Sequence, residues 1–258
     1  MSATSTQVAE LARRSILRTL RQPASIVPAL LFPLVFLALN SGGLAAATRM
    51  PGFPTDSYLA FFLAAPFIQA ALFATMGAGT DVAKDVQTGF VSRLALTPTH
   101  GNALLFGQLA GVLAVSLLSS LSFLVVGLAA GVTFESGLPG MVLIMVLAVL
   151  IGVALASIGV ILGMRSGSGE AVQGMFPLFF VFLFLSSLTM PRPLIEQDWF
   201  RTIATYNPVS YLLEAIRSLI ITGWDGRALA LGFTIAITLA IVSVLGASRA
   251  VRTRWTRT

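Results

Sequence analysis

The feature that most limits what this chain can become is a set of six long runs without a single Asp, Glu, Lys, Arg or His. They cover residues 26–47, 58–78, 104–130, 141–162, 172–190 and 228–247. A helix rises about 1.5 Å per residue, so roughly 20 apolar residues cover the ~30 Å of hydrocarbon in a bilayer. The six runs therefore predict six transmembrane helices in an all-α polytopic membrane protein. Composition agrees, because 10% of the 258 residues are charged where a soluble domain uses about 25%. Mean hydropathy is +0.91. These values exclude a soluble enzyme, a disordered chain and a nucleic-acid-binding domain, although the net charge is +6.

The basic residues set the expected orientation. With both termini inside, Arg13, Arg14, Arg18, Arg21, Lys84, Arg93, Arg165, Arg249, Arg252, Arg254 and Arg257 face the cytoplasm, which is eleven of the 16 Lys and Arg. Cytoplasmic loops carry the excess of such residues, so both termini are expected there, at a bacterial-type plasma membrane. Residues 6–21 are amphipathic. Val8, Leu11, Ala12, Ile16 and Leu20 share one arc while Arg13, Arg14, Arg18 and Arg21 share the other, a pattern that suits an interfacial helix in the headgroup plane. Ala45-Ala46-Ala47 resembles a cleavage site, but the preceding run is closer to a full span than to a 7–15-residue signal core. It is therefore expected to be retained.

Between the fifth and sixth runs the pattern changes. Asn207-Pro208 reads as a helix start, with Asn as N-cap and Pro in the first turn, where no N–H is needed. Gly223 reads as its stop. The intervening helix is too short to cross comfortably and carries Glu214 and Arg217, an i,i+3 pair that is costly at mid-bilayer. A re-entrant helix on the outer face, within a 191–227 region, is the physical reading.

Several chemistries are missing. There is no Cys, and His100 is the single His, so no multi-His metal site and no HExxH protease pattern exist. The single Lys, Lys84, stands between Ala83 and Asp85, so the Gly-Lys-Ser/Thr of a phosphate-binding P-loop is absent. Gly167-Ser168-Gly169 reads as a turn. The polar residues inside the runs are neutral: Asn40, Gln69, Gln173, Ser186, Ser187 and Thr189. Their expected role is hydrogen bonding between helices. Gly107/Gly111, Gly127/Gly131 and Gly159/Gly163 have the spacing that permits close helix packing. Without intramembrane charge for proton or ion coupling, any transport draws its energy from elsewhere.

Three segments together resemble the type-2 ABC-transporter permease family, which includes daunorubicin/doxorubicin-resistance export subunits. YNPVSYLLEAIRSLI, from Tyr206 to Ile220, is similar to the family's outer signature at Asn207, Pro208, Ala215 and Arg217. FLSSLTMPRPL, from Phe184 to Leu194, is similar to its Ser-Gly/Ser turn followed by Pro, with Ser187 where Gly is frequent. DVQTGFVSRLALTPTH, from Asp85 to His100, resembles its cytoplasmic segment after span two, although Asp85 stands where Glu is more usual. Their order spans nearly the whole chain, as one permease domain over 1–258.

The resemblance implies a non-enzymatic subunit of an ATP-driven exporter, with ATP and Mg on separate ABC ATPase subunits, two in number, and a second permease copy or a paralogue completing the pathway. It places a coupling helix in 81–100, with Lys84, Asp85, Gly89, Phe90, Arg93, Leu94 and Pro98 facing the ATPase together with the amino-terminal helix. Asn207, Pro208, Glu214 and Arg217 would form an outer gate or simply stabilise their helix. A hydrophobic small molecule or drug is the expected cargo. Export of a lipid or glycan, and a stand-alone secondary carrier, stay open as alternatives. Membrane lipid is a partner and nucleic acid is not.

Overall fold

The computed structural model describes residues 3–21, 23–96 and 101–255. Among these residues the chain is helical, without strands. The amphipathic segment is α1 (Ala3–Leu20), followed by α2 (Pro23–Gly43), α3 (Tyr58–Phe62), α4 (Ala64–Gln87) and the short α5 (Phe90–Ala95). Next come α6 (Gly101–Ala129), α7 (Gly137–Ser166), α8 (Gly169–Gly174), α9 (Phe176–Phe184), α10 (Asp198–Tyr206), α11 (Pro208–Arg217) and α12 (Gly226–Trp255). Among the described residues, five stretches are long and apolar enough to cross a membrane: Ile26–Gly43, Tyr58–Gln87, Ala103–Ala129, Gly137–Ser166 and Gly226–Arg254.

The run at 172–190 differs from the single long helix expected of it. It is broken into α8 and α9, and the helical stretch Gly169–Phe184 is about 24 Å long at the usual rise. Pro177 has no N–H and suits a first turn, and a new helix begins at Phe176. At the other end Asn207 Nδ2 donates to the carbonyls of Phe182 at 2.7 Å and Leu185 at 2.9 Å. Those are acceptors that a continuing helix would use for itself, and the helix stops.

A second difference lies after the second run. Residues 81–88 contain no Gly or Pro, and α4 continues through Asp81, Lys84 and Asp85 to Gln87. The first part of the expected 81–100 coupling region is thus the end of α4 rather than a separate short helix. Gly89 then adopts φ +68°, a left-handed conformation that costs other residues about 1–2 kcal/mol, and α5 starts there.

The centre of the bundle is the pair α4 and α7. A methyl group at Gly159 would lie 2.0 Å from the Thr75 carbonyl oxygen, and one at Gly163 would lie 2.3 Å from that of Gly79. Contacts advancing by four residues in the same direction mean that the two helices run parallel. α12 runs parallel to α7 as well, with Gly246 against Ile161 and Arg254 beside Gly167. Of the three Gly pairs, Gly159/Gly163 thus meets α4. Gly107 lets α1 approach, with Leu11 Cβ 2.5 Å from where its methyl group would be, and Gly127 faces Leu63.

Candidate functional site

Two polar constellations stand at opposite ends of the bundle. At the end of α4, Asp85 is buried at 4% exposure and its carboxylate is fully used. Arg14 donates to both oxygens at 3.0 and 3.3 Å, Arg18 donates at 3.1 Å, and Gln108 Nε2 donates at 3.1 Å. Arg18 also pairs with Asp81 at 2.7 Å. The Arg14 guanidinium stacks over Phe90 of α5, 4.0 Å from the ring centroid. The arginine face of α1 therefore turns partly inward, onto α4, rather than wholly toward headgroups as its pattern suggested. Arg13 alone keeps an exposed i,i+3 contact, with Glu10 at 3.9 Å.

The residues singled out from the sequence here divide into two groups. Asp85 and Phe90 are taken up by α1 contacts, and Leu94 packs with Val86 and Phe90 against the small cluster at this end. Lys84 is exposed, and so is Arg93, whose Nη1 donates to the Thr88 carbonyl at 3.1 Å and closes the Gly89 turn. Pro98 lies outside the described residues. Arg14, Arg18 and Gln108 were not singled out as partners, because a one-dimensional pattern does not show which helix crosses which. Asp85→Ala is expected to loosen α1 by about 2 kcal/mol, below a fully buried pair because Arg14 stays 39% exposed and water screens it. Limited proteolysis would then cut within α1 while the rest of the bundle persists.

At the opposite end α11 begins as the sequence reads, with Asn207 Oδ1 accepting from Val209 N and Pro208 in the first turn. The helix passes through one π-turn, Ser218–Thr222, and ends at Gly223 with φ +87°. The Glu214–Arg217 pair expected from i,i+3 spacing is not made. Glu214 instead takes a bidentate contact from Arg192, at 2.7 and 2.5 Å. The Arg192 guanidinium also lies over Tyr211 at 4.5 Å. Burial alone would lower the Arg192 pKa, but the hydrogen bond and charge of Glu214 outweigh it and raise it above its ordinary value.

Arg217 is 6% exposed, and among the described residues its hydrogen bonds go to backbone carbonyls. Nε donates to Phe61 O at 3.0 Å, Nη1 to Ser187 O at 2.5 Å and Nη2 to Leu188 O at 2.5 Å, with the guanidinium 3.7 Å over the Phe61 ring. Ser210 Oγ accepts from Ser187 N, and the Tyr58 hydroxyl donates to Thr189 O. α11 is thereby locked to α3 and to the turn after α9. The sequence signal for Arg192 was its place between Pro191 and Pro193, in a turn that had to fold back on something.

The expected bonding of neutral polar residues between helices is uneven. Asn40 donates to Phe36 of its own helix, and Gln69 is fully buried without a hydrogen-bond partner for either amide atom among the described residues. Also among the described residues, no cluster of His, Cys, Asp or Glu is arranged to hold a metal ion.

A bundle of apolar helices with a polar crossing at one end and a folded-back helix at the other defines a polytopic membrane protein. The family model for ABC-2 type transporters matches residues 6–221, and the chain belongs to that family. It is 27% identical over 234 residues to the daunorubicin resistance ABC transporter permease protein DrrB1 of Streptomyces coeruleorubidus, covering 86% of this chain and 77% of that one. A putative transport permease, ycf38, of Porphyra purpurea is 25% identical over 214 residues, covering 82% and 72%.

Proposed function

We propose that this chain is the membrane-spanning subunit of an ATP-driven exporter whose ATPase subunits are separate proteins carrying ATP and Mg. In this reading the chain crosses the membrane six times, α8, α9 and residues 185–190 making the fifth crossing. The parallel course of α4, α7 and α12 supports it, because a return between α7 and α12 has to traverse the bundle. Gly167 lies beside Val86 and Arg254, whereas Thr189 lies beside Tyr58. Both termini then share the cytoplasmic side with α5. A second copy or a paralogue completes the pathway.

The observation that carries the reading is the construction of the Asp85 end within an ABC-2 chain. α5 is a short helix on a left-handed turn, held from behind by Arg14 on Phe90 and presenting Arg93 outward, with Lys84 exposed beside it on the last turn of α4. Motion of an ATPase against α5 would pass through Asp85 to both α1 and α4. A ligand shifts an equilibrium only by its differential affinity for the two states, so nucleotide acts on the pathway through such a contact. Asn207, Pro208, Glu214 and Arg217 would form the opposite, outer gate. A hydrophobic drug is the preferred cargo, because the Streptomyces relative is named for daunorubicin resistance.

The test is co-purification from native membranes followed by vanadate-sensitive ATPase activity in reconstituted bilayers. A stoichiometric ATPase should copurify. Arg93→Ala and Gly89→Ala should lower export at least about tenfold with normal insertion, the second because it strains the turn. Export undiminished in both variants would remove α5 from the coupling role, and a chain purified without an ATPase would favour a stand-alone carrier.

A further inference from the structure

Two adjoining cavities of about 640 and 810 Å3 open between α11, the turn at 191–193 and the start of α12, and they share Arg192, Thr205, Glu214, Asp225 and Ala228. Their walls are partly apolar, with Phe61, Ile221, Leu231 and Ile235. Their charges do not balance. Arg192, Arg201, Arg217 and Arg227 line the two spaces, against Glu214 and Asp225. Glu214 is occupied by Arg192, and Asp225 Oδ1 accepts the backbone N–H groups of Arg227 and Ala228 at the start of α12. Arg201 bonds Asp198.

The excess positive charge is most confined at Arg217. A guanidinium carries five N–H donors, and three of these reach backbone carbonyls. The group makes no salt bridge among the described residues, although it is nearly buried and borders the 640 Å3 space. A buried cation without an anion is expensive. The second N–H of Nη1 and that of Nη2 reach no carbonyl among the described residues, and a guanidinium with N–H groups to spare pairs well with an oxyanion.

We propose that this vestibule binds the phosphate group of an amphiphile, with Arg217 as its cationic floor and the apolar walls receiving the attached chain. The site stands on the geometry of this chain alone and does not require an ATPase partner. The same phosphate chemistry is offered by a lipid headgroup and by a free phosphate compound.

The purified full-length chain distinguishes them. In neutral detergent it is titrated with inorganic phosphate by calorimetry. In phosphatidylcholine nanodiscs it is titrated with phosphatidylglycerol, and bound lipid is counted by native mass spectrometry. Because Arg217 also holds the turn after α9, its replacement risks the fold. The charge is therefore opposed from across the cavity by Ala228→Glu, compared with the uncharged Ala228→Gln. Saturable binding of phosphate in detergent supports a free-phosphate site, and saturation by phosphatidylglycerol alone supports a lipid site. In either case Ala228→Glu should bind at least about tenfold more weakly than Ala228→Gln, because a carboxylate then faces the oxyanion in a low dielectric. Absence of saturable binding in both media, or equal binding by the two variants, overturns the proposal.

Discussion

Replacing Gly159 by alanine is expected to destabilise the bundle by about 3 kcal/mol, at the upper end of the usual cost of overpacking. The added methyl group would lie 2.0 Å from the Thr75 carbonyl oxygen and 3.2 Å from Gly79 N. These are backbone atoms of α4, which cannot rotate away as a side chain would. The helices would have to part along their crossing. In a bilayer that loss is not recovered by the hydrophobic effect, because lipid tails are as apolar as the side chains they replace, and packing itself is the driving force. The comparison that isolates the cause is Gly77→Ala. Gly77 also lies inside α4, but nothing lies within 4 Å of its added methyl group. That substitution is expected to stabilise by about 0.5–1 kcal/mol through helix propensity alone. Thermal unfolding in detergent should therefore show shifts of opposite sign for two Gly-to-Ala changes. Equal shifts would mean that α4 and α7 are not in this register.

Arg217→Met should cost about 3 kcal/mol, with a local signature. Hydrogen bonds from a charged donor contribute about 1.5–3 kcal/mol each. The carbonyls of Phe61, Ser187 and Leu188 would lose that donor together. Relief from burying an unpaired charge offsets part of the loss, which is why the expected net is well below the sum of three such bonds. The effect should appear as protease cleavage between residues 185 and 225 while the α4–α7 pair stays protected. A uniform loss of protection would instead make Arg217 part of the global core. Glu214→Gln serves as the contrast. It weakens the Arg192 contact but leaves the Arg217 bonds in place, so its effect on the same segment should be smaller.

The long apolar helices were legible because hydrophobic length is a local property, and five of the six runs lie on helices long enough to cross a membrane among the described residues. A run without ionisable residues has to be helical in lipid, where every backbone polar group needs an internal partner. Local signals also placed both ends of the folded-back helix, through the Asn207-Pro208 cap and Gly223. Resemblance carried by short motifs identified the family. The limits of these signals appear at particular residues. The run at 172–190 was long enough by composition, yet Pro177 restarts the helix and Asn207, far along the chain, stops it. Asp85 and Arg217 were conspicuous as charges, but their partners were not. Spacing paired Glu214 with Arg217, whereas Arg192, 22 positions earlier, takes the carboxylate.

The sequence by itself determined the all-helical class, five long apolar helices and both ends of the folded-back helix, because each is set by residues close together along the chain. The tertiary structure alone decided which polar groups meet, because a charge buried beside apolar helices selects partners by proximity across the bundle and not by distance along the chain. That is why Arg14 and Arg18 close on Asp85, and why Arg217 is left with three carbonyls and an unbalanced charge facing a cavity.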